Sequence, residues 1–411
     1  VQHQRLPPAA AIVVGVGGLY VAQSVIGGVV FTGLPAVLRQ NGASLNDITF
    51  ILLTVLPWSF KFLWAPAVER YRSPRVGARR SRQVIGVVGS FAVGAVVAVA
   101  LIGPQALGAL TVAMMIASFA SATVDIACDG HAIESLAEKD RGWGNSAQVG
   151  GAYLGSAIGG GVFLILVDHL GWTPSTLIMA GVLVTLASPL LFTPDQMEAA
   201  RPNHPPQSLR AAFRRPEVRS GLALVALYVL GQKWAMVLVG PFLIDSGFSL
   251  SALGVMNGVG VTALGLLGAL GGGYVVRRFG AVRVLTVALV VQTLAMLGLA
   301  LYASLGAASQ IGLAILMLVS AATLALGFVA LYSELMGRAS LDQAGVDFTL
   351  FQSMDAIISM IGWWLVSAVG DWLGFAACFA IAAALGVVAL VGLTTIERRA
   401  SPLAGQADQS A

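Results

Sequence analysis

Apolar runs of roughly membrane-crossing length alternate with short polar breaks along almost the whole chain. A helix needs about 20 mainly apolar residues to cross the hydrocarbon of a bilayer. Dividing the runs at charged and Pro/Gly breaks predicts twelve spans. The first six cover 9–38, 45–67, 83–103, 106–136, 143–167 and 173–192. The second six cover 219–244, 251–276, 284–304, 309–336, 346–369 and 374–396. Residues 193–217, rich in Pro, Arg and polar side chains, read as a linker. The pattern therefore predicts an all-α polytopic membrane protein. Its two six-helix bundles are 1–192 and 218–396, followed by a polar tail at 397–411.

Composition removes the competing classes. The chain is 57% hydrophobic and 10% charged, against about 25% charged residues in soluble domains. Its basic residues lie in short loops, which argues for membrane orientation and against a nucleic-acid partner. Arg70, Arg72, Arg75, Arg79, Arg80 and Arg82 follow span 2, and Arg277, Arg278 and Arg283 follow span 8. Arg201, Arg210, Arg214, Arg215 and Arg219 surround the linker, while the opposite side shows only Arg39. Positive loops stay inside, so both termini are expected in the cytoplasm. Cys128 and Cys378 fall inside apolar runs and the four His residues are scattered, so neither a disulfide nor a metal site is expected. No cofactor is expected either. The first apolar run is span-length, which reads as a membrane helix and not a removed signal.

The two halves share landmarks in the same order. Leu19-Tyr20-Val21-Ala22-Gln23 recurs as Leu227-Tyr228-Val229-Leu230-Gly231-Gln232. Pro35 before Gly42-Ala43-Ser44-Leu45 recurs as Pro241 before Gly247-Phe248-Ser249-Leu250. Asp168-His169-Leu170-Gly171-Trp172 recurs as Asp371-Trp372-Leu373-Gly374-Phe375. Internal duplication of this kind is a transporter signature.

Charges inside the spans are the candidate chemistry, because burying them in hydrocarbon is costly and usually functional. Asp125 and Asp129 lie four apart on span 4 and share a helix face. Lys61 on span 2 joins them as an expected ionic centre for a proton or a substrate charge. The same residues also read as a structural Lys–Asp pair. Lys233, between Gln232 and Trp234 on span 7, suits an anionic or aromatic ligand. Tyr20, Gln23, Gln148 and Gln352 are further substrate-binding candidates, and Asp355 is the remaining acid well inside a span. Asp347, Glu334 and Glu134 read as solvated or loop-paired. Trp64, Trp143, Trp172 and Trp372 read as interfacial anchors, and Trp58, Trp363 and Trp364 as core. Gly151, Gly155 and Gly159 on span 5, with Gly254, Gly258, Gly265, Gly268 and Gly272 on span 8, give small faces that permit close helix approach.

Twelve spans in duplicated halves, with Arg-rich loops after spans 2 and 8, resemble the major facilitator superfamily. Ala65-Pro66-Ala67-Val68-Glu69-Arg70-Tyr71 through Arg79-Arg80 resembles its cytoplasmic loop motif, with Glu69 where Asp is usual. Leu56-Pro57-Trp58-Ser59-Phe60-Lys61-Phe62-Leu63-Trp64-Ala65-Pro66 and Asp125-Ile126-Ala127-Cys128-Asp129-Gly130 together resemble a narrower branch. That branch holds AmpG-type muropeptide permeases, acetyl-CoA transporters and RhtX/FptX-type siderophore importers; Val124 departs from the Gln common there. The compact length is most similar to the siderophore importers. The resemblance implies proton-coupled import of a ferric, pyochelin-like siderophore across a bacterial inner membrane, with a muropeptide as the alternative substrate.

It also implies a central cavity lined by spans 1, 4, 7 and 10, with spans 5 and 8 meeting across the halves. A gate of Lys61, Asp355, Arg70 and Glu69 is implied on the cytoplasmic side, Lys61 pairing there with Asp355. A fixed Lys61–Asp125 pair is the alternative. A monomer is expected, with the bilayer, substrate and protons as partners. No P-loop, His-Glu-x-x-His or Gly-x-Ser-x-Gly appears, so a secondary transporter is expected and not an enzyme. A membrane sensor without transport is the rival class.

Overall fold

The computed structural model of the chain describes residues 9–41, 51, 53–74, 79–191, 207–248, 256–306 and 309–407. The beginnings of spans 2 and 8 and most of the linker lie outside the described residues. The elements formed by the described residues are helices, and nine of these helices are long and apolar enough to cross a membrane. In hydrocarbon each backbone N–H and C=O must find its partner within the chain, a demand that helices meet.

Span 1 runs as Ala9–Gly28, widens through a π-helical turn at Val29–Gly33 and ends as Leu34–Gln40. Spans 3 and 4 are Ser81–Ile102 and Leu107–Ser135. Span 5 is Arg141–Ser156, a second π-helical turn at Ala157–Val162, and Phe163–Leu170. Span 6 is Trp172–Leu191, and a short helix Leu209–Arg214 follows the linker. Spans 7 to 10 are Pro216–Asp245, Met256–Val261 continuing into Thr262–Phe279, Ala281–Leu305 and Gln310–Arg338. Spans 11 and 12 run together as Ala344–Ala407, broken at Gly374.

Span 2 departs from the single helix expected. It is a chain of short pieces, Leu53–Val55, Leu56–Phe60 and Lys61–Leu63, and a further helix, Ala65–Arg72, leads out of the span into the Arg-rich loop. Pro57 and Pro66 each fall in the first turn of a piece. A proline there loses no intrahelical bond, whereas one inside a continuous helix would remove a bond and clash with the preceding turn. Lys61 therefore opens a tight turn at an interruption of the span.

The repeat is visible in the backbone as well as in the letters. Gly171, which ends span 5, has φ 80° and ψ 177°; Gly374, which ends span 11, has φ 75° and ψ 165°. Only glycine adopts this region readily, so the recurring Asp-x-Leu-Gly landmark makes the same corner in each half.

The chain forms two compact units. One comprises Val1–Ala212 with Ala339–Ser353, the other Phe213–Arg338 with Met354–Ala411. The core of the first is mainly aliphatic, built on Val25, Leu34, Val99, Leu110 and Met114, with Phe163 among them. The second packs Phe242 edge-on to Phe379, their centroids 5.2 Å apart, with Leu299 and Leu313 beside them.

Where the described glycines of spans 5 and 8 make a close approach, they meet a neighbouring helix of their own unit, while Gly254 and the surroundings of Gly258 lie outside the described residues. A Cβ on Gly155 or Gly159 would overlap the carbonyl oxygens of Val21 and Val25 on span 1, and one on Gly151 would press on Tyr20. On span 8, Gly268 lies against the Ala322 carbonyl and Gly272 against Val329, both on span 10. The spacing showed a close approach; it held no information on which helix approaches.

Candidate functional site

The first unit gathers four of the expected residues, Lys61, Gln352, Tyr20 and Gln148, around Asp125 and Asp129. The one-turn spacing on Leu107–Ser135 puts both carboxyls on one face, and the interruption in span 2 delivers Lys61 to them. Lys61 Nζ donates to Asp125 Oδ2 and to Gln352 Oε1. Its side chain is 3% exposed and that of Asp125 4%. The ammonium also stands 5.5 Å from the Trp58 ring centroid, a favourable placement over an indole. Trp58, expected as plain core, thus borders the charge.

Asp129 is held differently. Tyr20 Oη donates to its Oδ1 at 2.7 Å and Gln148 Nε2 to the same oxygen at 3.3 Å. The residue is fully buried, and Oδ2 accepts no hydrogen bond among the described residues. Two carboxyls therefore share a single ammonium, which belongs to Asp125. Gln23, by contrast, joins neither acid: it lines a separate cavity of the same unit.

The second unit carries its own polar group. Asp355 accepts from Tyr332 Oη at 2.9 Å and Ser359 Oγ at 3.3 Å, with Lys233 Nζ 4.0 Å from its Oδ1. Lys233 also lies 5.4 Å from the Phe328 ring centroid and keeps 21% of its side chain exposed. Gln232 is buried beside the Tyr228 hydroxyl, and neither end of its amide makes a well-formed hydrogen bond among the described residues. Trp234 gives its indole N–H to the Cys378 carbonyl at 3.2 Å and packs on the aromatic core, so its polar edge is already used. Tyr332, Phe328 and Ser359 were not legible as site residues. Each is an ordinary span residue until its helix is rotated against its neighbours.

The two repeat-related tyrosines have diverged. Tyr20 meets an acid, whereas Tyr228 Oη lies against Gly327 on span 10, where a Cβ would overlap it.

Of the expected gate residues, Lys61 is engaged by Asp125 and Gln352, and Asp355 by Tyr332, Ser359 and Lys233. Arg70 donates twice to the Gln207 carbonyl, at 2.9 and 2.8 Å. Glu69 pairs with Arg72 at 2.6 Å, and Arg72 reaches Glu134 at the same distance. Burial opposes the Arg72 charge, but Glu134 and Glu69 outweigh it and hold its pKa above the ordinary value. Arg79 adds a third contact to Glu134 at 2.5 Å, and the Glu134 side chain is 1% exposed. It is therefore loop-paired and not solvated. Asp347 is likewise fully buried, accepting from Ser340 N and Gln343 Nε2. Trp64, expected as an interfacial anchor, stacks on Phe119 and donates to Thr123 Oγ1. The side chains of Arg39, Trp363, Trp364 and Trp372 lie outside the described residues.

Comparison with known proteins agrees with this architecture. The chain is 33% identical over 269 residues to the anhydromuropeptide permease of Escherichia coli (strain K12). The match covers 62% of this chain and 53% of the relative, so the chain spans about half the length of that permease. A putative transporter AmpG 4 of Rickettsia felis is 24% identical over 286 residues, 65% of this chain and 68% of the relative. Among solved structures, the human organic anion transporter MFSD10 superposes with a TM-score of 0.73 at 17% identity. That superposition covers 94% of this chain and all of the other. The Escherichia coli fucose:proton symporter gives 0.73 at 15% identity, covering 95% and 98%. At such identities the structures speak for the fold. The model of the Major Facilitator Superfamily matches residues 16–362, and the chain belongs to that superfamily of multi-pass membrane transporters.

Proposed function

We propose that this chain is a proton-coupled secondary transporter that takes anhydromuropeptide-class cell-wall fragments across a bacterial inner membrane, with both termini in the cytoplasm. The observation that carries the coupling is the pair of acids serving one ammonium. Lys61 balances Asp125, and Asp129 has only neutral donors. A single proton on Asp129 brings the cluster to zero net charge, and its loss returns one negative charge to a buried site. Such a group suits loading from one side and release to the other. Moving one charge through 100 mV is worth roughly 2.3 kcal/mol, enough to drive accumulation.

The substrate class rests on the relatives, whose printed names favour a muropeptide over the siderophore expected from the sequence. Lys233 supports it: a part-exposed cation over an aromatic ring is a fitting partner for the carboxylates of a peptide-bearing sugar. The test is uptake into proteoliposomes under an imposed pH gradient. Labelled anhydromuropeptide should accumulate and unlabelled substrate should compete. Asp129→Asn should abolish accumulation while leaving exchange at equal pH. Uptake of a ferric siderophore with no muropeptide uptake would overturn the substrate, and gradient-driven accumulation by Asp129→Asn would overturn the coupling site.

A further inference from the structure

A cavity of about 420 Å³ lies within the first unit, between spans 1, 3, 4 and 6. That is within the usual range for small-molecule pockets, roughly 300–1,000 Å³. Three features distinguish it from a packing defect. Glycine creates its space: a Cβ on Gly89 would meet only Val124 Cγ2 at 4.0 Å, and one on Gly94 nothing within 4 Å. Its wall carries Gln23, 7% exposed, whose Nε2 has no hydrogen-bond partner among the described residues. An unmet buried donor is costly, and the Gln23 side chain that carries it lines a mainly apolar space whose other polar side chains are Ser90 and Ser121. Finally, the lining includes exposed Ser90, Gly94 and Val184, with Phe91 and Val87 beside them 65% and 54% exposed. Exposed apolar side chains on membrane spans face lipid, so the mouth opens to the bilayer between spans 3 and 6.

We infer that this cavity is a lateral binding site for a neutral lipid-soluble molecule with a hydrocarbon body and one carbonyl-type acceptor. The bilayer is the source, because the mouth opens among lipid-facing residues. Neutrality follows from depth. Gln23 lies near the middle of the Ala10–Leu38 span, where a charged headgroup is barred by its desolvation cost. The acceptor follows from the unmet amide N–H, which rotation about the broad terminal torsion of Gln23 turns into the cavity, and the hydrocarbon body from Leu19, Ile26, Ile85 and Leu183 around it. An occupant would touch Val124, the chain neighbour of Asp125, and so lie directly behind the ionic centre.

The experiment uses the full chain in lipid nanodiscs and two photoreactive probes: a long-chain alkyl ketone bearing a diazirine, and the matched alkane diazirine without the carbonyl. The ketone should label spans 3 and 6 saturably near Gly89, Gly94 and Val184. Gly89→Leu, which fills the cavity, should abolish labelling by both probes. Gln23→Leu should weaken the ketone roughly tenfold, the scale of one neutral hydrogen bond, while leaving the alkane unchanged. Val184→Trp narrows the mouth from the lipid side and provides the same test if Gly89→Leu does not fold. Non-saturable labelling spread over all lipid-facing surfaces overturns the site. Equal loss of both probes in Gln23→Leu overturns the assigned chemistry, as does competition by a water-soluble anion but not by unlabelled ketone.

Discussion

Asp125 and Asp129 are one turn apart on one helix and have opposite circumstances. Asp125 is half of a buried ion pair, so truncating Lys61 leaves a carboxylate without its countercharge. Lys61→Ala should cost about 3–5 kcal/mol, read as a large drop in the thermal unfolding midpoint of the purified protein. The double change Lys61→Leu with Asp125→Leu should recover most of that loss, because an apolar pair has no charge to desolvate. Asp129→Asn keeps an acceptor for Tyr20 and should shift stability by no more than about 1 kcal/mol, so its transport defect is separable from folding. The sequence made the shared face of the two acids legible, since spacing alone sets it. It did not show which acid takes the lysine. That depends on where the proline-broken pieces of span 2 place Lys61, and no periodicity records a break of that kind.

At the scale of elements, the small faces of span 5 make a prediction about packing. Gly155 and Gly159 sit against span 1 backbone, whereas Gly161 has nothing within 4 Å of its would-be Cβ. Gly159→Val should therefore separate spans 1 and 5 and lower expression and thermal stability sharply. Gly161→Ala should be neutral or slightly stabilising, through its better helix propensity. Equal effects in a thermal-shift assay would refute the seam. The π-helical turns at Val29–Gly33 and Ala157–Val162 belong to the same seam, since Gly28 approaches Ser156 and Gly160 and Gly33 approaches Gly159. The run of small residues was visible in the letters, as were the span lengths. The widened turns and the identity of the partner helix were not, because both come from backbone contacts that any small residue would permit.

For the whole molecule, the helix starting at Ala344 matters most, because its first turns belong to the first unit and its continuation to the second. Gln352, which accepts from Lys61, is in the first part, and Asp355, which accepts from Tyr332, is in the second. The all-helical membrane fold was readable from hydropathy, and the repeated Asp-x-Leu-Gly landmark flagged the two glycines, Gly171 and Gly374, that turn the same corner. The pairing of charges between elements was not readable, and two pairings of Lys61 followed equally well from the sequence. The structure has Lys61 with Asp125, and a charge exchange separates this from a gate pair with Asp355. Lys61→Asp combined with Asp125→Lys restores opposite charges at the same two positions, so it should recover part of the uptake that each single change abolishes. Lys61→Asp combined with Asp355→Lys leaves Asp125 facing a second carboxylate, and removes from Lys233 and Tyr332 the acid they share. It should be no better than the worse single variant, a strongly non-additive contrast between the two pairs. Rescue by the Asp355 exchange alone, measured as uptake in proteoliposomes with protein amounts matched, would show instead that the two acids exchange the lysine during transport and that the pair with Asp125 belongs to one state of the cycle.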